Sequence, residues 1–233
     1  KFHTMAMMLA RFQSLPKNIA PTMRREIKRN MSRGASGIGW YKKYQEGGDE
    51  AFIRYQPPTP FDWTKPGNTS KAFFELSIDG EDAGRVEIEL LEQILPKTVS
   101  NFKALCSGDN VNGFSYKGTP IHRVVKGSSI VGGDVELKTG EGSHSAFPDR
   151  YFDDEALVLP HTHAGIISMV NGGVHTNGSQ FYITTDASPH LDGYSVAFGR
   201  VVSGLDVVHK IAGVFSTRGR PVSPIMIDKC GLL

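Results

Sequence analysis

Hydrophobic and polar positions alternate along "AFFELSIDGEDAGRVEIELL", residues 72–91. Phe74, Leu76 and Ile78 share one face, and Val86, Ile88 and Leu90 repeat the pattern. A period of two predicts half-buried strands, and Asp79-Gly80 with Asp82 between the runs predicts a β-hairpin. The period lengthens in "LPKTVSNFKALCSG", where Val99, Phe102 and Leu105 fall at near-helical spacing and Pro96 suits a first turn. Short apolar runs separated by glycine turns follow. In "GLDVVHKIAG", Val207, Val208 and Ile211 predict a second helix ended by Gly213, and "SPIMIDKCGLL" predicts a closing strand. Many short strands and two helices together point to a mainly β fold, a barrel with helices plugging its ends.

Residues 1–70 read differently, as an extended arm before a domain at 71–233. "LPKNIAPTMRREIKRN", "SRGASGIG" and "YQPPTPFDWTKPGNTS" carry too much proline and glycine for long helices or central strands. Residues 22–32 suit one short basic helix. The formal net charge of +2 hides an asymmetry: residues 1–43 hold ten basic groups and one acid, Glu26. The remainder holds 16 of the 26 basic and 23 of the 24 acidic residues, so a strongly basic arm precedes a mildly acidic body. Trp40, Tyr41, Tyr44, Phe52, Tyr55, Phe61 and Trp63 crowd into 24 residues of this segment. Aromatic and Arg enrichment marks interface anchors, so docking onto a partner is expected ahead of packing back onto the domain.

The Arg/Lys-rich, Met-rich and nearly acid-free start has the composition of a mitochondrial presequence, although Pro16 and Pro21 interrupt any long amphipathic helix. A mitochondrial location, in the matrix or on the matrix side of the inner membrane, is the expectation, with the cytoplasm as the alternative. No apolar run approaches the roughly 20 residues that span a bilayer. Cys106 and Cys230, the only cysteines, are too few for a disulfide scaffold.

The stretch "HRVVKGSSIVGGD", residues 122–134, carries the candidate chemistry. With "IHRV", "GGD", "NGSQFYIT", "LDGYSVAFG" and "IDKCGLL" in this order, residues 71–233 resemble the cyclophilin family of prolyl isomerases. The resemblance implies an eight-stranded antiparallel barrel capped by two helices. It also implies a reaction that changes no covalent bond and needs neither nucleophile, metal nor cofactor. Rotation about an X-Pro bond faces a barrier of about 18–20 kcal/mol. Lowering it calls for a cationic donor at the prolyl nitrogen, an apolar cup for the ring and polar groups that grip the backbone. By resemblance, Arg123 is the donor and Gln180 helps hold its guanidinium. Asn171 grips the substrate through its backbone, Leu191 walls the cup, and Tyr182 stands where Phe is usual.

Several positions depart from the family pattern. Ser128 and Ser129 replace the Phe and Met of the cup floor, and Val131 replaces a Gln that bonds substrate and steadies the Arg. Ser195 stands for a pocket His, His190 for a frequent Trp, and Val170 for Ala. Each lost floor side chain forfeits about 1.5–3 kcal/mol of ring burial, and the lost Gln contact a similar amount. Every 1.36 kcal/mol is tenfold in rate, so weak or absent isomerase activity is expected.

Other chemistries find less support. His161, His163, His175 and His190 invite a metal site, and "HTH" places two imidazoles on one strand face, but no cysteine or carboxylate spacing completes a ligand set. No G-x-S-x-G elbow supports a hydrolase. Two readings remain. In the first, the chain is an accessory subunit of a large assembly, its arm contacting other protein subunits and, through its charge, anionic lipid or ribosomal RNA. A respiratory-chain complex is expected ahead of a mitoribosome. In the second, it is a working isomerase acting on proline-containing peptides in protein folding.

Overall fold

A computed structural model describes residues 61–63, 67 and 69–233. The calls on residues 1–60, including the basic helix at 22–32 and five of the seven clustered aromatics, lie outside the described residues. The predicted hairpin is present as β1 (Ser70–Ile78) and β2 (Glu81–Leu90). Asp79 and Gly80 between them have φ of 55° and 82°, the paired left-handed geometry that matches the strands' own twist.

Helix α1 (Pro96–Ser107) follows, with Pro at its start as expected. Then come β3 (Ile121–Val125), β4 (Ser129–Gly132), β5 (Ile166–Met169) and β6 (Phe181–Thr184). A one-turn 3-10 helix spans Pro189–Leu191 before β7 (Ala197–Ser203) and helix α2 (Leu205–Ala212). The short pair β8 (Ser216–Thr217) and β9 (Arg220–Pro221) precedes β10 (Ile225–Leu232). Eight strands run in the order β10-β1-β2-β7-β5-β6-β4-β3, every pairing antiparallel. An isolated bridge between Pro120 and Met226 brings the β3 end back to β10, so the sheet is a nearly closed barrel with two helices.

The interior is aromatic. Phe74 of β1 stacks on Phe181 of β6 with ring centroids 5.4 Å apart, and Tyr116 meets both edge-on. Phe102 of α1 enters this group, 5.1 Å from Tyr116 and 5.1 Å from Phe198 of β7. The helical spacing that puts Val99, Phe102 and Leu105 on one face is therefore what plugs the barrel mouth. Its N-terminus is capped at long range: the Glu155 carboxylate accepts from the backbone N–H groups of Lys97 and Thr98 at 2.9 and 2.8 Å.

Two aromatics assigned above to a partner pack on the barrel instead. Trp63 is buried as a member of the core, and Phe61 meets it edge-on at 5.0 Å. His163 meets the indole edge-on at 5.8 Å. Burial of a ring this large outweighs the entropy of fixing its side chain.

Truncating Phe102 empties the centre of the aromatic group. Phe102→Ala is expected to cost about 3–5 kcal/mol in equilibrium urea unfolding, with loss of near-ultraviolet dichroism before loss of strand signal.

Candidate active site

Strand register places the site residues. Arg123 of β3 lies directly opposite Val131 of β4, Val131 opposite Tyr182 of β6, and Tyr182 opposite Ser168 of β5. Directly opposed residues share a face, so these four form one row across the sheet. The adjacent row, Val124, Ile130, Ile183 and Ile167, belongs to the core. Arg123, Val131 and Tyr182 therefore stand on the outer face. Ser129, two residues from Val131, shares it and is opposite Val125 and Thr184. Ser128 sits in the turn between β3 and β4, its N–H donating to Val125 O at 3.0 Å and its carbonyl accepting from Thr185 N at 2.8 Å.

Arg123 is exposed, and among the described residues no hydrogen bond or ion pair holds its guanidinium. Gln180 does not supply one. Its amide nitrogen donates to the carbonyls of Gly140 and Gly142 at 3.0 and 2.6 Å. The reason lies in a loop that the sequence motifs do not cover. Asp134, which closes the Gly-Gly-Asp turn, is fully buried and accepts five backbone N–H groups, those of Glu136, Leu137, Thr139, Gly140 and Gly142, at 2.8–3.2 Å. Curling the loop around a carboxylate turns the Gly140 and Gly142 carbonyls toward Gln180. Gln180 thus positions the loop beside the pocket.

Two departures noted separately in the sequence form one unit. The Tyr182 hydroxyl lies 2.5 Å from the buried Ser195 Oγ. The hydroxyl that a Phe would lack thus finds its partner in Ser195. Burial pushes the Tyr182 phenol up, with the Ser195 bond acting in the opposite direction. Leu191, half-buried, accepts from the N–H groups of Tyr194 and Ser195 at 3.1 Å each, so Leu191 and Ser195 belong to one turn. His190 of the same turn is exposed.

Val170 and Asn171 follow β5. Val170 N donates to Gln180 O at 2.9 Å, and Asn171 Nδ2 donates to Tyr194 O at 2.6 Å. Among the described residues the backbone N–H and C=O of Asn171 carry no hydrogen bond, which leaves them able to pair with an extended peptide.

The HTH histidines do not share a strand face. They lie in the loop before β5, where His161 is buried and His163 is exposed beside Trp63. Asp192 Oδ1 accepts from His161 N at 2.8 Å and from Nδ1 at 2.7 Å, because a carboxylate only accepts. Burial pushes the imidazole below its ordinary range, against the pull of Asp192. The neutral ring's Nε2 then accepts from Ser168 Oγ at 3.1 Å. Asp192, His161 and Ser168 follow the order of a hydrolase relay, yet His161 and Ser168 are both 0% exposed. No substrate carbonyl reaches that hydroxyl, and the relay instead ties the Leu191 turn to β5 beneath Tyr182. The sequence hint was available only in retrospect: a polar Ser168 amid "GIISMV" and a histidine far upstream of Asp192.

The Asp134 loop has a pH dependence of fixed sign. Burial acts to raise the Asp134 carboxyl, and the N–H groups of Leu137, Gly142, Gly140 and Thr139 outweigh it and hold it below the ordinary range. A depressed carboxyl contributes stability that is complete above the unfolded value near 3.8 and lost as pH falls through the folded value. Protection of the amides at 136–142, relative to their intrinsic exchange rates, is therefore expected to fall below pH about 4, and Asp134→Asn is expected to show that low protection already at neutral pH.

Residues 73–232 match the family described as Cyclophilin type peptidyl-prolyl cis-trans isomerase/CLD. That match spans well over half of the chain, and the barrel and the Arg123 row agree with it. The chain belongs to the cyclophilin-type peptidyl-prolyl isomerase family.

Proposed function

We propose that the barrel serves mainly as a scaffold with weak or no isomerase activity, and that the protein is an accessory subunit of a large assembly. The observation that carries this reading is the surface around Arg123. Its cross-strand neighbour is Val131, which offers no hydrogen bond to a guanidinium or a peptide, and Ser129 on the same face is 5% exposed. A proline ring seated there gains little apolar burial from a serine. Two absent floor side chains and one absent amide together amount to several kcal/mol. Even half of that, felt in the transition state, is about a hundredfold in rate. Tyr182 keeps an aromatic face in the cup and Leu191 keeps the wall, so binding is weakened more gently than catalysis.

The assembly role rests on the arm. A basic, aromatic-rich segment ahead of a mildly acidic domain suits contact with other subunits, and its presequence-like start favours a mitochondrial assembly, a respiratory-chain complex ahead of a mitoribosome. Anionic lipid or ribosomal RNA would meet the same charge. A second reading, an active isomerase that assists folding, is favoured by the exposed Arg123 and by the unpaired Asn171 backbone.

A protease-coupled assay on X-Pro peptides separates the two. The expected rate is at least a hundredfold below that of an ordinary cyclophilin, and a rate within tenfold would refute the scaffold reading. The triple change Ser128→Phe, Ser129→Met and Val131→Gln is expected to recover at least tenfold. Size fractionation of native extract is expected to find the chain co-migrating with other subunits. Elution as a free monomer-sized species would count against the assembly role.

A further inference from the structure

The prolyl seat is not the most exposed chemistry on the barrel. β8 and β9 form a hairpin in which Ser216 is opposite Pro221 and Thr217 opposite Arg220. Val222 N donates to Phe215 O at 2.9 Å, extending the ladder by one pair. Side chains alternate across a hairpin, so Thr217, Arg220, Phe215 and Val222 share one face. Ser216 and Pro221, on the other, are half-buried, whereas Phe215 is 76% and Val222 64% exposed. An apolar pair is thus held out in water by a ladder whose back rests on the barrel.

The tip of the hairpin is a two-residue turn with φ of 54° at Arg218 and 84° at Gly219. Asn or Gly usually takes the first of these positions, since left-handed backbone crowds a Cβ. Placing Arg there costs stability and projects a guanidinium from the tip. The tip lies against β3. Val124 N donates to Gly219 O at 2.7 Å, and a Cβ added at Gly219 would lie 3.4 Å from Arg123 Nε. His122 registers the local field: burial pushes it down, and Arg123 and Arg220 add to that push against Asp134.

Arg123, Lys126, Arg218 and Arg220 are all exposed, and none has an ion-pair partner among the described residues. Residues 120–133 and 211–227 contain no acid. The Asp79 carboxylate meets the hairpin at its far end, accepting from Ser223 Oγ at 2.9 Å.

We propose that the outer face of the β8–β9 hairpin, with the adjoining edge of β3, is a docking surface for an acidic segment of a partner polypeptide that also presents an apolar side chain. Charge selects the occupant. Residues 1–43 of the chain's own arm carry the same sign and are repelled, while carboxylates complement four unpaired cations. Phe215 and Val222 side by side require an apolar partner group, which favours a polypeptide over a phosphodiester chain. The surface stands whether or not the prolyl seat is active.

The test uses the full chain, isotope-labelled, titrated with a twelve-residue peptide of alternating Glu and Leu and followed by amide chemical shifts. Shifts are expected at 214–223 and 123–127. Affinity read at those amides should fall at least tenfold between 50 and 300 mM NaCl. Arg218→Asn with Arg220→Gln should lower it tenfold or more, Asn being a residue that keeps the left-handed turn, and Phe215→Ser should lower it several-fold. Shifts confined to the arm, or elsewhere on the barrel, overturn the proposal even without the variants. So does unchanged affinity in both variants, or tighter binding of an oligouridylate at the same amides.

Discussion

Everything at the pocket depends on how β4 is registered between β3 and β6. A side chain in a strand faces one way or the other, and a slip of one residue would exchange Ile130 for Val131. Ile130 is completed by Val124 and Ile183 inside the barrel, and Val131 by Arg123 and Tyr182 outside it. The interior therefore fixes the exterior. The packing of three β-branched side chains that never meet a substrate decides which residues stand beside Arg123. Positions 129 and 131 face away from the core, so Ser and Val there cost the barrel little. Substitutions of similar size at 130 or 183 would have been felt through the packed core.

The alternation of β1 and β2 and the spacing of α1 and α2 were legible in the sequence because each is a local pattern repeated against one buried face. The site was legible as a set of positions, through motif order, but less so as a set of interactions. Gln180 bonds residues 38 and 40 positions upstream, and nothing in "NGSQF" announces a loop wound around Asp134. Tyr182 and Ser195 read as separate departures, yet their hydroxyls pair across 13 residues. Trp63 looked like an interface anchor because exposure cannot be read from a proline-rich stretch; its burial depends on His163 and the barrel surface, which are assembled only on folding. Local periodicity is written in the chain, whereas partners across loops are set by the closed barrel.

Under the proposed function, prolyl isomerisation would make the pocket a graded device. A hydrolase with a missing nucleophile fails outright, but a reaction that changes no covalent bond depends on summed contacts, each worth a kcal/mol or so. On the scaffold reading proposed above, losing apolar floor and amide contacts while keeping a cation, an aromatic ring and an unpaired backbone strip would shift the balance from turning the bond to holding the chain. The Asp192–His161–Ser168 relay fits that balance. It spends two buried polar groups and a partly buried carboxylate on fixing the Leu191 turn.

The charge distribution carries the argument beyond the pocket. The barrel as a whole is mildly acidic, so a cluster of four cations around β3 and the β8–β9 hairpin runs against its average and produces a local field of the same sign as residues 1–43. Such a cluster repels itself, and it sits beside a left-handed Arg218 and a Phe215 in water, three unfavourable features within one short hairpin. Each would be relieved by the same event, the arrival of carboxylates with an apolar group between them. Features that are separately costly and jointly satisfied by one ligand argue for a surface shaped by binding rather than by folding. Because the tip touches Arg123, a segment held there would lie at the mouth of the prolyl cup, coupling whatever catalytic capacity the barrel retains to the partner it holds.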